Sequence, residues 1–159
     1  MLTNAQLATL KAAILAETDA AFITYRDQGA TGLMAQWFNS PASPAWTVWR
    51  TDVQPDEYRD AITWTEVDAL TAGKARIWDW LTQQMSAPIN FGRLNVRQGL
   101  QDCWASNTTT RANLLAIAKR AATRAEKLFS TGTGSAASPA TMTVEGSISP
   151  DDIVNVLSA

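Results

Sequence analysis

A mainly α fold, an antiparallel bundle of about five or six helices with an extended C-terminal arm, follows from three features of the chain. Apolar residues recur at steps of three and four along most of its length. No run sustains the period-two alternation of a half-buried strand. The composition then changes abruptly after residue 129, which divides the sequence into a helical domain over 1–129 and a linker with an interaction arm over 130–159.

The first helix is expected over about 4–26. Thr3 and Gln6 frame a capping box, and Leu7, Leu10, Ile14, Ala21, Phe22 and Tyr25 continue on one face. Gly29 and Gly32 permit a turn before a short apolar helix of Leu33, Met34, Trp37 and Phe38, which Pro41 and Pro44 end. "WTVWR" at 46–50 reads as a short extended piece. Pro55 then suits the first position of a helix, with Asp56 and Glu57 placed to complement the helix dipole. A further helix carries Ala75, Ile77, Trp78 and Leu81 as far as Pro88. Asn95 caps the next, with Val96, Leu100, Cys103 and Trp104, and Asn107 or Thr108 caps a last long helix over about 109–129.

With 159 residues, 46% of them hydrophobic, and seven Trp, the chain has the means to bury a core. Its net charge of -2 argues against a general polyanion binder, so any such role must be local. The absence of His removes His general bases, Ser-His-Asp and Cys-His pairs, and the commonest metal ligand. A single Cys103 forms neither an internal disulfide nor a Cys-rich zinc site, and reads as a small buried residue. Lys11, Glu17 and Asp19 interrupt the N-terminal apolar pattern, which is therefore neither a signal peptide nor a membrane span. No catalytic residue, metal or cofactor is expected, and the chain is read as made in a cytoplasm.

Two segments stand out. Between 111 and 127 five basic residues face one acidic one, a local +4 in a chain of -2. At about 100° per residue, Arg120, Arg124 and Lys127 share one side of the expected helix, with Leu114, Leu115, Ala118, Ala122 and Ala125 opposite. Three readings are open for this basic face: a solvated surface complementing the helix dipole, a contact with acidic protein, and a contact with nucleic acid. The second segment, Phe129 to Val144, has no charge, and a free chain of such Ser, Thr, Gly, Ala and Pro content is flexible. At its end and beyond, Met142, Val144 and Ile148 have strand-like spacing, and Pro150 opens a helical turn with Ile153, Val154, Val156 and Leu157. This reads as an arm that adds a strand or helix to a partner.

Weaker patterns are set aside. "TAGKAR" lacks the first Gly and the Ser/Thr of a phosphate loop, and "GTG" at 132–134 lacks a preceding strand and a third Gly. Asp56, Glu57, Asp60, Glu66 and Asp68 offer a hydrolase-type acid/base pair only if two of them face each other across a cleft. The tryptophans read as core and interface residues before a sugar-stacking site.

"LTNAQLATLKAAILAE", "QGATGLMAQWFN" and "TRANLLAIAKRAATRAEKLFSTGTGSAASPATM" resemble segments of small structural proteins of tailed-bacteriophage virions. More broadly, a helical bundle with a C-terminal extension is similar to the head-to-tail connector, or adaptor, proteins that form a ring beneath the portal. That resemblance implies several things. Residues 130–159 would clasp the portal protein, neighbouring copies would close a ring, in that class a dodecamer, and the next tail or neck component would follow. Packaged dsDNA would run through the channel, with Arg120, Arg124 and Lys127 facing portal or channel, and no membrane would be involved. The location implied is the head-to-tail junction of the virion. The alternatives are another virion completion or capsid accessory protein, and a small DNA-binding helical protein.

Overall fold

The computed structural model describes residues 2–83 and 85–158. Among them are ten helices and four short strands, so the mainly α class holds. In chain order the helices are α1 (Asn4–Ala16), α2 (Ala20–Asp27), α3 (Thr31–Asn39), α4 (Pro55–Ala61), α5 (Trp64–Asp68), α6 (Ala72–Thr82), α7 (Leu94–Cys103), α8 (Thr109–Ile117), α9 (Arg124–Leu128) and α10 (Pro150–Ser158). The strands are β1 (Thr47–Trp49), β2 (Lys119–Ala121), β3 (Ser130–Thr131) and β4 (Thr141–Met142). The helices are more numerous and shorter than expected, because local caps cut the two longest periodic runs.

The first run divides at Glu17-Thr18-Asp19. The Asp19 carboxylate accepts the backbone N–H groups of Ala21 and Phe22 at 2.9 and 3.3 Å and so begins α2. The second run, expected as one helix over 109–129, is broken between Ala118 and Thr123. Thr123 and Glu126 form a capping box that starts α9. The backbone between the two helices bonds to distant chain instead: Arg50 N–H donates to Ala118 O, Ala122 N–H to Trp46 O, and Arg124 N–H to Ser40 O, all within 3.0 Å. Several local expectations hold, including the Thr3–Gln6 capping box of α1 and Pro55 opening α4 with Asp56 and Glu57 in its first turn. The cap expected at Asn95 does not: α7 starts at Leu94, behind Arg93.

The chain forms two units, Met1–Val48 with Ala121–Ala159, and Trp49–Arg120. It leaves the first within β1 and returns to it within β2. This division replaces the expected boundary at residue 129, because residues 130–158 are an integral part of the first unit.

The core of the first unit gathers Leu10, Ile14, Phe22, Met34, Phe38 and Phe129 together with Ile148, Ile153 and Val156. Helix α10 lies against α1 and α3. The expected extended arm is therefore folded onto its own unit, since burying Ile148, Ile153 and Val156 removes apolar surface that an extended arm would leave in water. Asn39 at the end of α3 fixes the approach to α10: its amide donates to Ile148 O and accepts Ile148 N–H, both at 2.8 Å. Ser149 and Asp152 then cap α10 reciprocally. Replacing Asn39 with Ala removes both bonds, and the expected loss is about 2 kcal/mol. Limited proteolysis should then cleave the stretch 143–150 well before the wild-type chain is cut.

The uncharged segment is also ordered. Strands β3 and β4 pair antiparallel, Ser130 opposite Met142 and Thr131 opposite Thr141. The hairpin is seated on Trp46, whose indole N–H donates to Ser130 Oγ at 2.9 Å. Thr47 N–H donates to Gly134 O at 2.7 Å, and Ala140 N–H to Thr47 O at 2.9 Å. A small cluster of Val48, Ala122 and Ala140 is buried beneath, with Trp46 and Met142 against it.

The second unit is built on an aromatic core. Trp78 packs edge-on against both Trp104, with ring centroids 4.6 Å apart, and Tyr58, at 6.0 Å. Val53, Ile62, Phe91, Leu100 and Leu114 complete it. Helices α6 and α7 pack closely because Gly99 has no side chain: a Cβ there would stand 3.2 Å from Leu81 Cδ1. Cys103 is buried in this core, as expected, and burial raises its thiol pKa to about 11.

Candidate interaction surfaces

Residues that carry charge or apolar surface outward define what the molecule can bind. The basic residues singled out in the sequence do not form a stripe, because the helix that would have aligned them is interrupted. Arg120 lies in β2, half-buried and engaged in contacts of its own. Arg124 stacks on Trp37, its guanidinium 3.8 Å from the ring centroid, and its Nε–H donates to Ser40 Oγ at 3.1 Å. Lys127 lies over Trp46 at 5.2 Å, its ammonium 3.5 Å from Pro44 O. Two of the three thus hold the first unit together through cation–π contacts.

The C-terminal residues also separate by role. Ile148, Ile153 and Val156 are buried in the core, Met142 and Val144 are half-buried, and Val154 and Leu157 are 46% and 43% exposed. Helix α10 accordingly buries one apolar face and presents an apolar pair on another.

The five carboxylates considered for acid/base chemistry are used separately. Glu57 makes a two-point contact with Arg50, at 2.5 and 2.9 Å, and also accepts Gln54 N–H. Asp56 pairs with Arg59. Glu66 caps α8, accepting Thr109 and Thr110 N–H at 2.9 and 2.8 Å. Asp60 and Asp68 are exposed and have no hydrogen-bonding or ionic partner among the described residues. No group of three or more Asp, Glu or Cys is gathered as a metal ion would require, again among the described residues.

These bonds set a pH dependence. The Arg50 contact holds Glu57 below its usual range, and the Thr110 hydroxyl and backbone do the same for Glu66. Asp152 also ends below its ordinary value, burial that would raise it being outweighed by bonds from Ser149. A carboxylate lowered on folding stabilises above its unfolded pKa, about 4, and loses that contribution as pH falls through the folded value. Denaturation midpoints should therefore decline as pH falls from about 4 through the folded values of these three carboxylates. Glu66→Gln should be less stable than wild type at neutral pH, with the gap closing in acid.

The seven tryptophans divide in the same way. Trp78 and Trp104 are core, Trp46 seats the hairpin, and Trp37 and Trp49 lie beneath cations, the latter under Arg97 and Lys119. Trp64 and Trp80 are different, at 57% and 80% exposed.

Trp80 borders a groove of about 750 Å³ between α6 and α7. Ile77, Leu81 and Val96 provide apolar lining, and Arg76 and Arg93 stand on it. Both arginines are exposed, and among the described residues neither guanidinium has an ion pair or hydrogen bond. Sequence reasoning missed this groove, although Arg76 and Trp80 fall one helical turn apart, a spacing that was readable. Its other wall, including Arg93, depends on how α7 packs.

No protein-family model matches the chain, and no curated protein or solved structure matches it either. No helix among the described residues is long and apolar enough to cross a membrane.

Proposed function

We propose that the chain is a structural subunit of a tailed-phage particle, and within it a head-to-tail connector of the adaptor kind that docks on the portal through its C-terminal segment. The observation that carries this reading is the double-faced α10. Ile153 and Val156 anchor it in its own unit while Val154 and Leu157 are held outward on a capped, ordered helix. A partner meeting that pair finds it preorganised and has little ordering entropy to overcome. The resemblance of the three quoted segments to phage structural proteins supports the setting, and the helical fold suits the adaptor class. Neighbouring copies complete the ring, the next tail or neck component follows, and packaged dsDNA passes through the channel. Direct DNA binding is the less favoured reading, because Arg124 and Lys127 are already stacked on tryptophans.

Docking is tested by mixing the purified full chain with the portal protein of the same phage and measuring the mass of the product. A ring-sized complex is expected from the wild type and none from Val154→Asp/Leu157→Asp, whose substitutions leave the core intact. Wild-type protein that ignores the portal contradicts the connector role. A double variant that binds undiminished contradicts docking through α10. Truncation at Phe129 is unsuitable, since it removes Ile148, Ile153 and Val156 from the core.

A further inference from the structure

We infer that the groove between α6 and α7 receives the acidic, Trp64-bearing surface of a second copy of this chain. Two unexplained features of the second unit complement each other. The first is a concave apolar site that carries Arg76 and Arg93, two guanidiniums with no partner among the described residues. The second is an exposed indole, Trp64, at the start of α5, flanked in sequence by Asp60 and by Asp68 one helical turn on. Those two carboxylates also have no partner among the described residues.

A groove of about 750 Å³ accommodates an indole with room for neighbouring side chains. Tryptophan and arginine are the residue types that most often dominate interface energetics. Desolvation strengthens the attraction of Arg76 and Arg93 for Asp60 and Asp68, and opposite charge fixes the register of the two surfaces. Asp79 lies beside Arg76 and Trp80 at the outer edge, so it moderates the positive potential of the groove without removing it. Knob and groove are different surfaces of one chain. Each copy therefore engages one neighbour with its knob and another with its groove, a heterologous contact that closes into a ring when the rotation permits.

The choice of a second copy as occupant rests on this charge and shape complementarity, and the ring rests on the connector reading. The test uses the full chain with two double variants, Arg76→Glu/Arg93→Glu and Asp60→Lys/Asp68→Lys, all four positions being exposed. In sedimentation the wild type should associate with rising concentration beyond a dimer. Each variant alone should associate about 100-fold more weakly, both charge pairs having become repulsive. In an equimolar mixture an intact knob meets an intact groove and a reversed knob meets a reversed groove, so both contacts are again between opposite charges and association beyond a dimer should return. Trp64→Ala added to the Arg76→Glu/Arg93→Glu variant, which carries the intact knob, should weaken that mixed association.

A wild type that stays monomeric throughout, a variant that associates like wild type, or a mixture that associates no better than either variant alone would each overturn the inference. The same proteins mixed with portal separate the two proposals. Portal binding without variant pairing defeats this interface alone, and variant pairing without portal binding defeats the connector role alone.

Discussion

Gly134→Ala should destabilise the first unit by about 3 kcal/mol, the combined effect of overpacking and of a side chain in left-handed backbone. Gly134 is buried with φ at +62°, and a Cβ there would fall 2.1 Å from Cδ2 and Cε2 of the Trp46 indole. Neither side can yield easily. The Gly134 carbonyl is bonded to Thr47 N–H, and the Trp46 N–H is bonded to Ser130. Chemical denaturation followed by Trp fluorescence reads the loss directly. Adding Trp46→Ala opens the space, so the double variant should lose less than the two single losses added together. Full additivity would mean that the hairpin does not rest on this ring.

Trp104→Ala is expected to be the most damaging change in the second unit, by about 3–5 kcal/mol for deleting a buried aromatic. Trp104 is 2% exposed, packs edge-on against Trp78, and belongs to the cluster that includes Cys103, Leu114 and Phe91. Its indole N–H has no hydrogen-bond partner among the described residues, a burden that Trp104→Phe removes along with part of the volume. The Phe variant should therefore lose clearly less than the Ala variant. Equal losses would point to the ring nitrogen, rather than the aromatic volume, as the source of stability.

How far the sequence was legible depends on the range of the interaction concerned. Helix starts written in adjacent residues were readable, as with Thr3 and Gln6 or with Pro55 followed by Asp56 and Glu57. Two further starts were equally local but masked by apolar periodicity running across them. Asp19 divides the first run, and Thr123 with Glu126 divides the second. Missing the second had a large consequence. The angular grouping of Arg120, Arg124 and Lys127 assumed a continuous helix, and the break leaves Arg120 in a strand while the other two lie over Trp37 and Trp46.

The uncharged segment was unreadable for a different reason. Its composition correctly says that it lacks the apolar surface to order itself. Order comes instead from Trp46 and Thr47, more than 80 positions earlier, through one ring and a few backbone bonds. Apolar spacing in the last residues did mark side chains that bury, but could not say whose core they enter. Ile148, Ile153 and Val156 enter their own, and Val154 and Leu157 stay exposed.

Quantitative mass spectrometry of purified particles of the proposed phage would show whether the chain is, as proposed, a stoichiometric part of the particle at the head-to-tail junction. Peptides of this chain are expected in copy number comparable to the portal protein, and are expected to be lost together with the neck when heads are separated from tails. A chain abundant in the infected-cell lysate and absent from washed particles would contradict that role.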